Sequence, residues 1–295
     1  MLEIIVPATS ANFGPGFDAL GIALNLYNKF YIEEIEQGLI IEGCEEKYKG
    51  KDNLVYKAME ECFKITGYKV NGIKIKIEAN IPPSRGLGSS ASCIVAGVMA
   101  ANEISGSKLN KEEILNLATK IEGHPDNITP ALFGGMTVSI YENKKVLYNN
   151  IFVPENVGFS ALIPEFKLST EKAREVLPKE ISYKDAVFNI SRVSMLISAL
   201  SNGNLKLLKV ACEDKLHQQY RGKLIEEFNN IIEICNKLNC LGVFLSGAGP
   251  TIMTLVEEKN LEFYNNIQAE LFALNNHWEV KNLKMDSLGA RIKKL

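Results

Sequence analysis

The chain has 295 residues, 46% of them hydrophobic and 23% charged, with a formal net charge of −2. That length exceeds what one core usually fills, so two domains are expected, and the near-neutral balance gives no global attraction to nucleic acid or an anionic membrane. No apolar run approaches the ~18–20 residues of a membrane span, and Met1–Pro7 lacks the features of a signal sequence, so a cytoplasmic protein is expected with no membrane partner.

In chain order, a strand is predicted near 2–8, followed by the loop Pro7-Ala-Thr-Ser-Ala-Asn-Phe-Gly-Pro-Gly-Phe-Asp18 and the apolar run Ala19–Leu26. Its Asn, Gly, Pro and Asp residues are turn formers, so a structural loop accounts for them. The functional alternative is that Asn12 and Asp18 face a small polar ligand, Asp18 being suited to an ammonium group. Further strands are predicted near 28–36 and 73–79, with a helix near 53–66 between them. In the strand near 73–79, Ile73, Ile75 and Ile77 alternate with Lys74, Lys76 and Glu78.

The stretch Pro82-Pro-Ser-Arg-Gly-Leu-Gly-Ser-Ser-Ala-Ser92 then leads into a helix near 89–104. Gly86 and Gly88 let the backbone approach a ligand closely, and Ser89, Ser90 and Ser92 stand beside the free N–H groups of a helix start. A phosphate fits such a site, although the stretch is neither a Walker A loop nor a Gly-x-Gly-x-x-Gly fingerprint. A helix near 111–122 opens on Asn110 and Glu113, a capping-box pattern, and Gly123 is placed to end it. Glu122 therefore lies at the negative end of the helix dipole, where a carboxylate is unfavourable unless solvated or joined by a cation such as Mg²⁺. His124 and Asp126 follow as loop caps or ligands.

A strand near 135–141 closes the first half, and a boundary is expected near Asn149–Pro154, giving domains 1–152 and 153–295. The second half reads as a strand near 157–163 and helices near 171–177, 183–201, 204–217 and 222–238. A strand-turn-strand over 241–256, a helix near 260–274 and a strand near 278–285 complete it. The turn Ser246-Gly-Ala-Gly-Pro250 is explained equally by a hairpin or by a ligand loop. Helices and strands in this mixed order suggest α+β layers. The six cysteines form no Cys-x-x-Cys pair, which favours free thiols.

Pro7–Asp18, Gly86-Leu-Gly-Ser-Ser-Ala91 and Ser246–Pro250 together resemble, in order, the three motifs of the GHMP small-molecule kinases. Within that superfamily, Ala11–Gly21, Glu122-Gly-His-Pro-Asp-Asn127 with Pro130 and Gly134-Gly135, and Leu168-Ser-Thr-x-x-Ala-Arg174 are similar to the homoserine kinases. The resemblance implies a two-domain fold, with an N-terminal ribosomal-protein-like domain and a C-terminal ferredoxin-like domain. It implies ATP and Mg²⁺ as cofactors. ATP would be wrapped by Pro82, Pro83, Ser84, Arg85, Gly86, Leu87, Gly88, Ser89, Ser90, Ala91 and Ser92. Asn53 is an adenine candidate, with a plain helix N-cap at Asp52 as the equal alternative.

By the same resemblance, Ser90 and Glu122 would hold the metal. Asn12, Asp18, His124, Asp126, Thr170, Arg174 and Arg221 would surround homoserine, with Asp18 or Asp126 facing its ammonium. Arg174 or Arg221 would grip its carboxylate, for which arginine's planar fork is suited. Glu122, Arg174 and Asp126 are the catalytic candidates, Asp126 being the one carboxylate considered as a base. The product would be O-phosphohomoserine, the precursor of threonine. A homodimer is the protein partner that family habit suggests. Another GHMP kinase, acting on mevalonate or a sugar, and a non-catalytic nucleotide-binding protein are the competing readings.

Overall fold

In the computed structural model, which describes residues 1–295, the first half builds one mixed layer of strands covered by helices. In order it contains β1 (Leu2–Ala11), β2 (Leu20–Glu34), β3 (Gly38–Glu42), α1 (Leu54–Thr66), β4 (Gly72–Glu78), α2 (Ser89–Ile104), α3 (Lys111–Glu122), α4 (Pro125–Phe133), β5 (Met136–Glu142) and β6 (Lys145–Ile151). The second half contains β7 (Val157–Pro164), α5 (Thr170–Glu175), α6 (Tyr183–Asn202), α7 (Leu208–Ala211), α8 (Gln218–Arg221), α9 (Phe228–Lys237), β8 (Gly242–Leu245), β9 (Ile252–Glu257), α10 (Leu261–Phe272), β10 (Trp278–Leu283) and β11 (Arg291–Lys294).

The larger sheet has the order β11-β1-β2-β4-β3, with β5 joining β2 and carrying β6 at its edge. Only β3 and β4 are parallel. The smaller sheet, β10-β7-β9-β8, is antiparallel and runs fourth, first, third, second in chain order, the ferredoxin-like arrangement. No helix is long and apolar enough to cross a membrane.

A register shift between Pro7 and Ala8, opposite Tyr27 and Leu24, divides the long β1–β2 ribbon. Beyond it, Phe30 and Ile32 pack with Ile4 and Val6 under α1 and α2. Before it, Ala8, Leu20, Ile22 and Leu24 pack with Phe159, Ala161 and Phe244 of the smaller sheet. One ribbon thus contributes to both cores, and a bulge of this kind turns its inward face from one to the other.

Several expectations shift. The predicted strand 28–36 begins at Leu20, because the run Ala19–Leu26 is its first half; buried almost throughout, it shows no polar alternation. β3, α4, β6 and β11 were not expected, and β11 pairs with β1, so the chain beyond 283 returns to the first sheet rather than staying with 153–295. The helices expected over 204–217 and 222–238 are broken into α7, α8 and α9. The break before α8 follows from the Asp214 carboxylate, which accepts from the N–H groups of Leu216, His217 and Gln218 and so starts a new helical path.

Phe13 is fully buried where the two sheets meet, stacked on Phe244 at 4.7 Å and edge-on to Phe159 at 6.4 Å. Phe13→Ala is expected to lower unfolding stability by about 3–5 kcal/mol, measured by urea denaturation, because it opens a cavity between rigid sheets.

Candidate active site

The phosphate loop is shaped by what its carbonyls do. Ser84 O accepts from Leu168 N at 3.2 Å, Arg85 O from Thr251 N at 3.2 Å and Leu87 O from Thr9 N at 3.2 Å. Gly86 O accepts from Ser246 Oγ at 2.6 Å. With these oxygens tied to surrounding elements, the N–H groups of Leu87, Gly88, Ser89 and Ser90 donate to no protein acceptor. Gly86 and Gly88 have φ of +75° and +69°, and α2 starts directly after them. Unpaired amides curling into a helix N-terminus form an anion-binding cradle.

The two glycines are needed for a reason the sequence reading did not anticipate. A Cβ on Gly86 would lie 2.2 Å from Ser246 O, and one on Gly88 would lie 1.9 Å from Thr9 Oγ1. They let the three glycine-bearing loops touch one another, rather than only letting a ligand approach. A Ser10–Ser246 hydroxyl contact of 2.7 Å and Asn12 Nδ2 donating to Gly247 O at 2.9 Å tighten the same junction.

The loops line a cleft that opens to solvent. Ser84 through Ser90, Asn12, Asp18, Glu122, His124, Asp126, Thr170, Arg174 and Arg221 all reach it, as do Asn127, Gly247 and Ala248. Pro82, Pro83, Ala91, Ser92 and Asn53 do not. Ser92 is buried and spends its hydroxyl on Ser89 O and Asn28 Nδ2. Asn53, rather than Asp52, caps α1: its Oδ1 accepts from Val55 N and its Nδ2 donates to Tyr48 O, each at 2.9 Å. Arg85 reaches the cleft wall, but its donors go to the carbonyls of Pro164, Glu165 and Pro83.

Three helices, α2, α4 and α5, start at this cleft, where the positive ends of their dipoles favour anionic groups. Against them stands Glu122 at the last position of α3, accepting from Ser90 Oγ at 2.7 Å. Burial raises its pKa, with the Ser90 bond and the charge of His124 opposing. Ser90 and Glu122 thus offer adjacent oxygen ligands at a place where a carboxylate lacks compensation, which fits a hard cation such as Mg²⁺.

Elsewhere in the cleft, Arg174 donates to both oxygens of Asp18, at 2.9 and 3.0 Å. Asn12 positions Asp18 by accepting from its N–H at 3.0 Å. Asp126 is buried; its Oδ1 contacts His124 Nδ1 and accepts from Asn127 Nδ2, and its Oδ2 has no protein partner. Burial lowers the His124 pKa, but Asp126, Glu122 and Asp18 outweigh it and leave the ring above its ordinary value.

Arg221 is only 2% exposed, and donates to Ala173 O at 2.9 Å and Gly247 O at 3.0 Å. Burial and the nearby charge of Arg174 lower its pKa to about 10, which still leaves it protonated at neutral pH. It has no carboxylate partner in a salt bridge, so a ligand anion would complete it. Phe17 supports this corner: its ring stacks on His217 at 5.2 Å and faces the guanidinium groups of Arg221 and Arg174 at 5.0 and 5.8 Å. Phe17 and His217 were missed because an aromatic in a glycine loop and a lone histidine carry no distinctive spacing. Asn127 was visible only as the end of the Glu122–Asn127 motif.

Residues 53–135 match the GHMP kinases N terminal domain and residues 196–272 the GHMP kinases C terminal domain. The chain is 59% identical to a homoserine kinase of Clostridium botulinum, over 98% of this chain and 97% of that protein. A crystal structure of homoserine kinase from Cytophaga hutchinsonii aligns with TM-score 0.89 at 26% identity, covering 99% of this chain and 97% of that one. A crystal structure of L. major mevalonate kinase in complex with R-mevalonate aligns with TM-score 0.74 at 20% identity over 97% and 96% of the two chains, which speaks for the fold alone.

Two outcomes follow from the loop and from Glu122. Gly88→Ala is expected to cost about 1–3 kcal/mol in urea denaturation and to weaken binding of an ATP analogue about tenfold or more by calorimetry. For Glu122, the folded pKa is raised above its ordinary 4.5, so ionisation works against folding as pH rises past that value. In metal-free protein, Glu122→Gln should therefore melt at a higher temperature than the parent at pH 8, with the gap closing as pH falls to 4 or below.

Proposed function

We propose that this chain, which belongs to the GHMP kinases and within them to the homoserine kinase family, transfers the γ-phosphoryl group of ATP to the side-chain hydroxyl of L-homoserine. The products are O-phospho-L-homoserine, the precursor of threonine, and ADP. The observation that carries the reading is that an amide cradle and a charge set matched to a zwitterion line the same cleft.

The N–H groups of Leu87 through Ser90 receive the phosphates of ATP, which a lysine would otherwise grip in a P-loop. Ser90 and Glu122 would hold the Mg²⁺ that accompanies ATP and neutralises charge on its terminal phosphates. At the acceptor end, Asp18 and Arg174 exchange their mutual contact for the ammonium and carboxylate of homoserine. Arg221 adds a second guanidinium to the carboxylate, and Thr170 stands on the same face of α5 as Arg174.

Phosphoryl transfer of this kind demands in-line placement and charge neutralisation more than covalent help. Accordingly, the side-chain hydroxyl is oriented beside Asp126 and Asn127, and its proton passes to Asp126 Oδ2, to phosphate or to water. Asn127 is held by Thr9, whose Oγ1 donates to Asn127 Oδ1 at 2.7 Å, which leaves the Asn127 amide NH₂ turned to Asp126.

A coupled ADP-release assay across homoserine, mevalonate and several sugars tests the reading, with turnover expected on homoserine. Turnover only on an alcohol lacking the α-amino group would select another GHMP kinase, and nucleotide binding without any turnover a non-catalytic protein. Glu122→Gln and Arg174→Ala are each expected to lower turnover about 10²–10³-fold at saturating Mg-ATP and homoserine. A rate within about threefold of the parent would remove that residue from the mechanism.

A further inference from the structure

Arg85 stands in the middle of the phosphate loop, yet its guanidinium is spent on main-chain oxygens. Its Nε donates to Pro164 O at 2.8 Å, one Nη to Pro83 O at 3.1 Å and the other to Glu165 O. Pro164 is the last residue of β7, and Glu165 opens the linker that runs to α5. Two residues beyond Phe166, the same linker donates from Leu168 N to Ser84 O at 3.2 Å. Phosphate loop and linker are therefore fastened twice, and the linker ends in Thr170 and Arg174.

On its other side the linker is anchored independently. Glu165 N donates to His277 O at 3.3 Å, and Phe166 meets the buried Trp278 edge-on at 6.2 Å. Loss of Arg85 would leave the linker docked on the smaller sheet and the loop docked on Thr9 and Ser246. The main-chain bond from Leu168 N to Ser84 O would remain between them, and the two side-chain bonds that set the spacing at Pro164 and Glu165 would be lost.

We propose that Arg85 is a positioning residue for the acceptor: it holds the linker carrying Thr170 and Arg174 at a set distance from the phosphate loop, and it does not bind phosphate. The proposal rests on the reading of the cleft given above. Its physical content is that the phosphate loop belongs to the first half of the chain while Thr170 and Arg174, which orient the acceptor, belong to the second, and a misplacement of ~1 Å between them can cost up to about 10²-fold in rate. A planar guanidinium offers its donors from three separate nitrogens, each on its own carbonyl here, whereas an ammonium donates from a single nitrogen and would have to draw the carbonyls to one point.

The test compares Arg85→Ala and Arg85→Lys with the parent. It measures kcat/KM for homoserine at saturating Mg-ATP and, separately, the Kd of a non-hydrolysable Mg-ATP analogue. Both variants are expected to lose about tenfold in kcat/KM for homoserine while the analogue Kd stays within about threefold. The proposal is overturned if the nucleotide loss equals or exceeds the homoserine loss, if homoserine kinetics stay within about twofold, or if Lys restores the parent value. Should the Ala variant not fold, the Lys variant alone decides by the same ratio. Parent enzyme inert toward homoserine would sink the substrate reading instead, a result separate from either variant's.

Discussion

The site depends on four consecutive carbonyls, Ser84 through Leu87, all turned outward into hydrogen bonds with other elements. A peptide plane carries the next residue's N–H opposite its C=O, so fixing the oxygens of Gly86 and Leu87 on the scaffold orients the N–H groups of Leu87 and Gly88, while the start of α2 leaves those of Ser89 and Ser90 free. The donors to those oxygens come from Thr9, Leu168, Ser246 and Thr251, which lie near the end of β1, in the linker to α5 and in the turn between β8 and β9. The anion cradle is therefore a property of three loops assembled, and no one of them would hold the shape alone.

Electrostatics at the cleft are divided along its length. At one end, the N-terminus of α2 and the free amides before it favour an anion, and Glu122 stands beside them, accepting from Ser90. The other end collects Asp18, Asp126, Arg174 and Arg221, a mixed set that suits a small zwitterion rather than a neutral alcohol. The Asp18–Arg174 pair is only part-buried, so its opening exposes both groups to solvent as well as to substrate. Arg221, by contrast, is locked by backbone carbonyls and by Phe17, and provides a charge that does not move.

Several site residues have tasks that their chemistry alone did not reveal. Asn12 looked like a ligand, and it does reach the cleft, but both ends of its side chain hold Asp18 and Gly247 in place. Asn53 looked like an adenine contact and is engaged as a helix cap. Asp214 captures three N–H groups and breaks the helical path so that Arg221 is delivered to the cleft. In each case the side chain is consumed by a neighbour remote in sequence or by a local backbone conformation that a composition pattern does not encode.

Local signals were enough for elements whose period or caps are self-contained. The alternation of Ile73, Ile75 and Ile77, the capping box of Asn110 and Glu113, and the glycine stops of α3 and of the phosphate loop were legible because they involve residues within a few positions of one another. The family motifs likewise marked the loops that line the cleft. What the tertiary structure alone decided was long-range: the return of β11 to β1, the first half of β2 buried on both faces, and the fastening of Arg85 to Pro164 and Glu165. Those contacts join residues up to almost the full length of the chain apart, and their free energy exists only once both partners have been brought together.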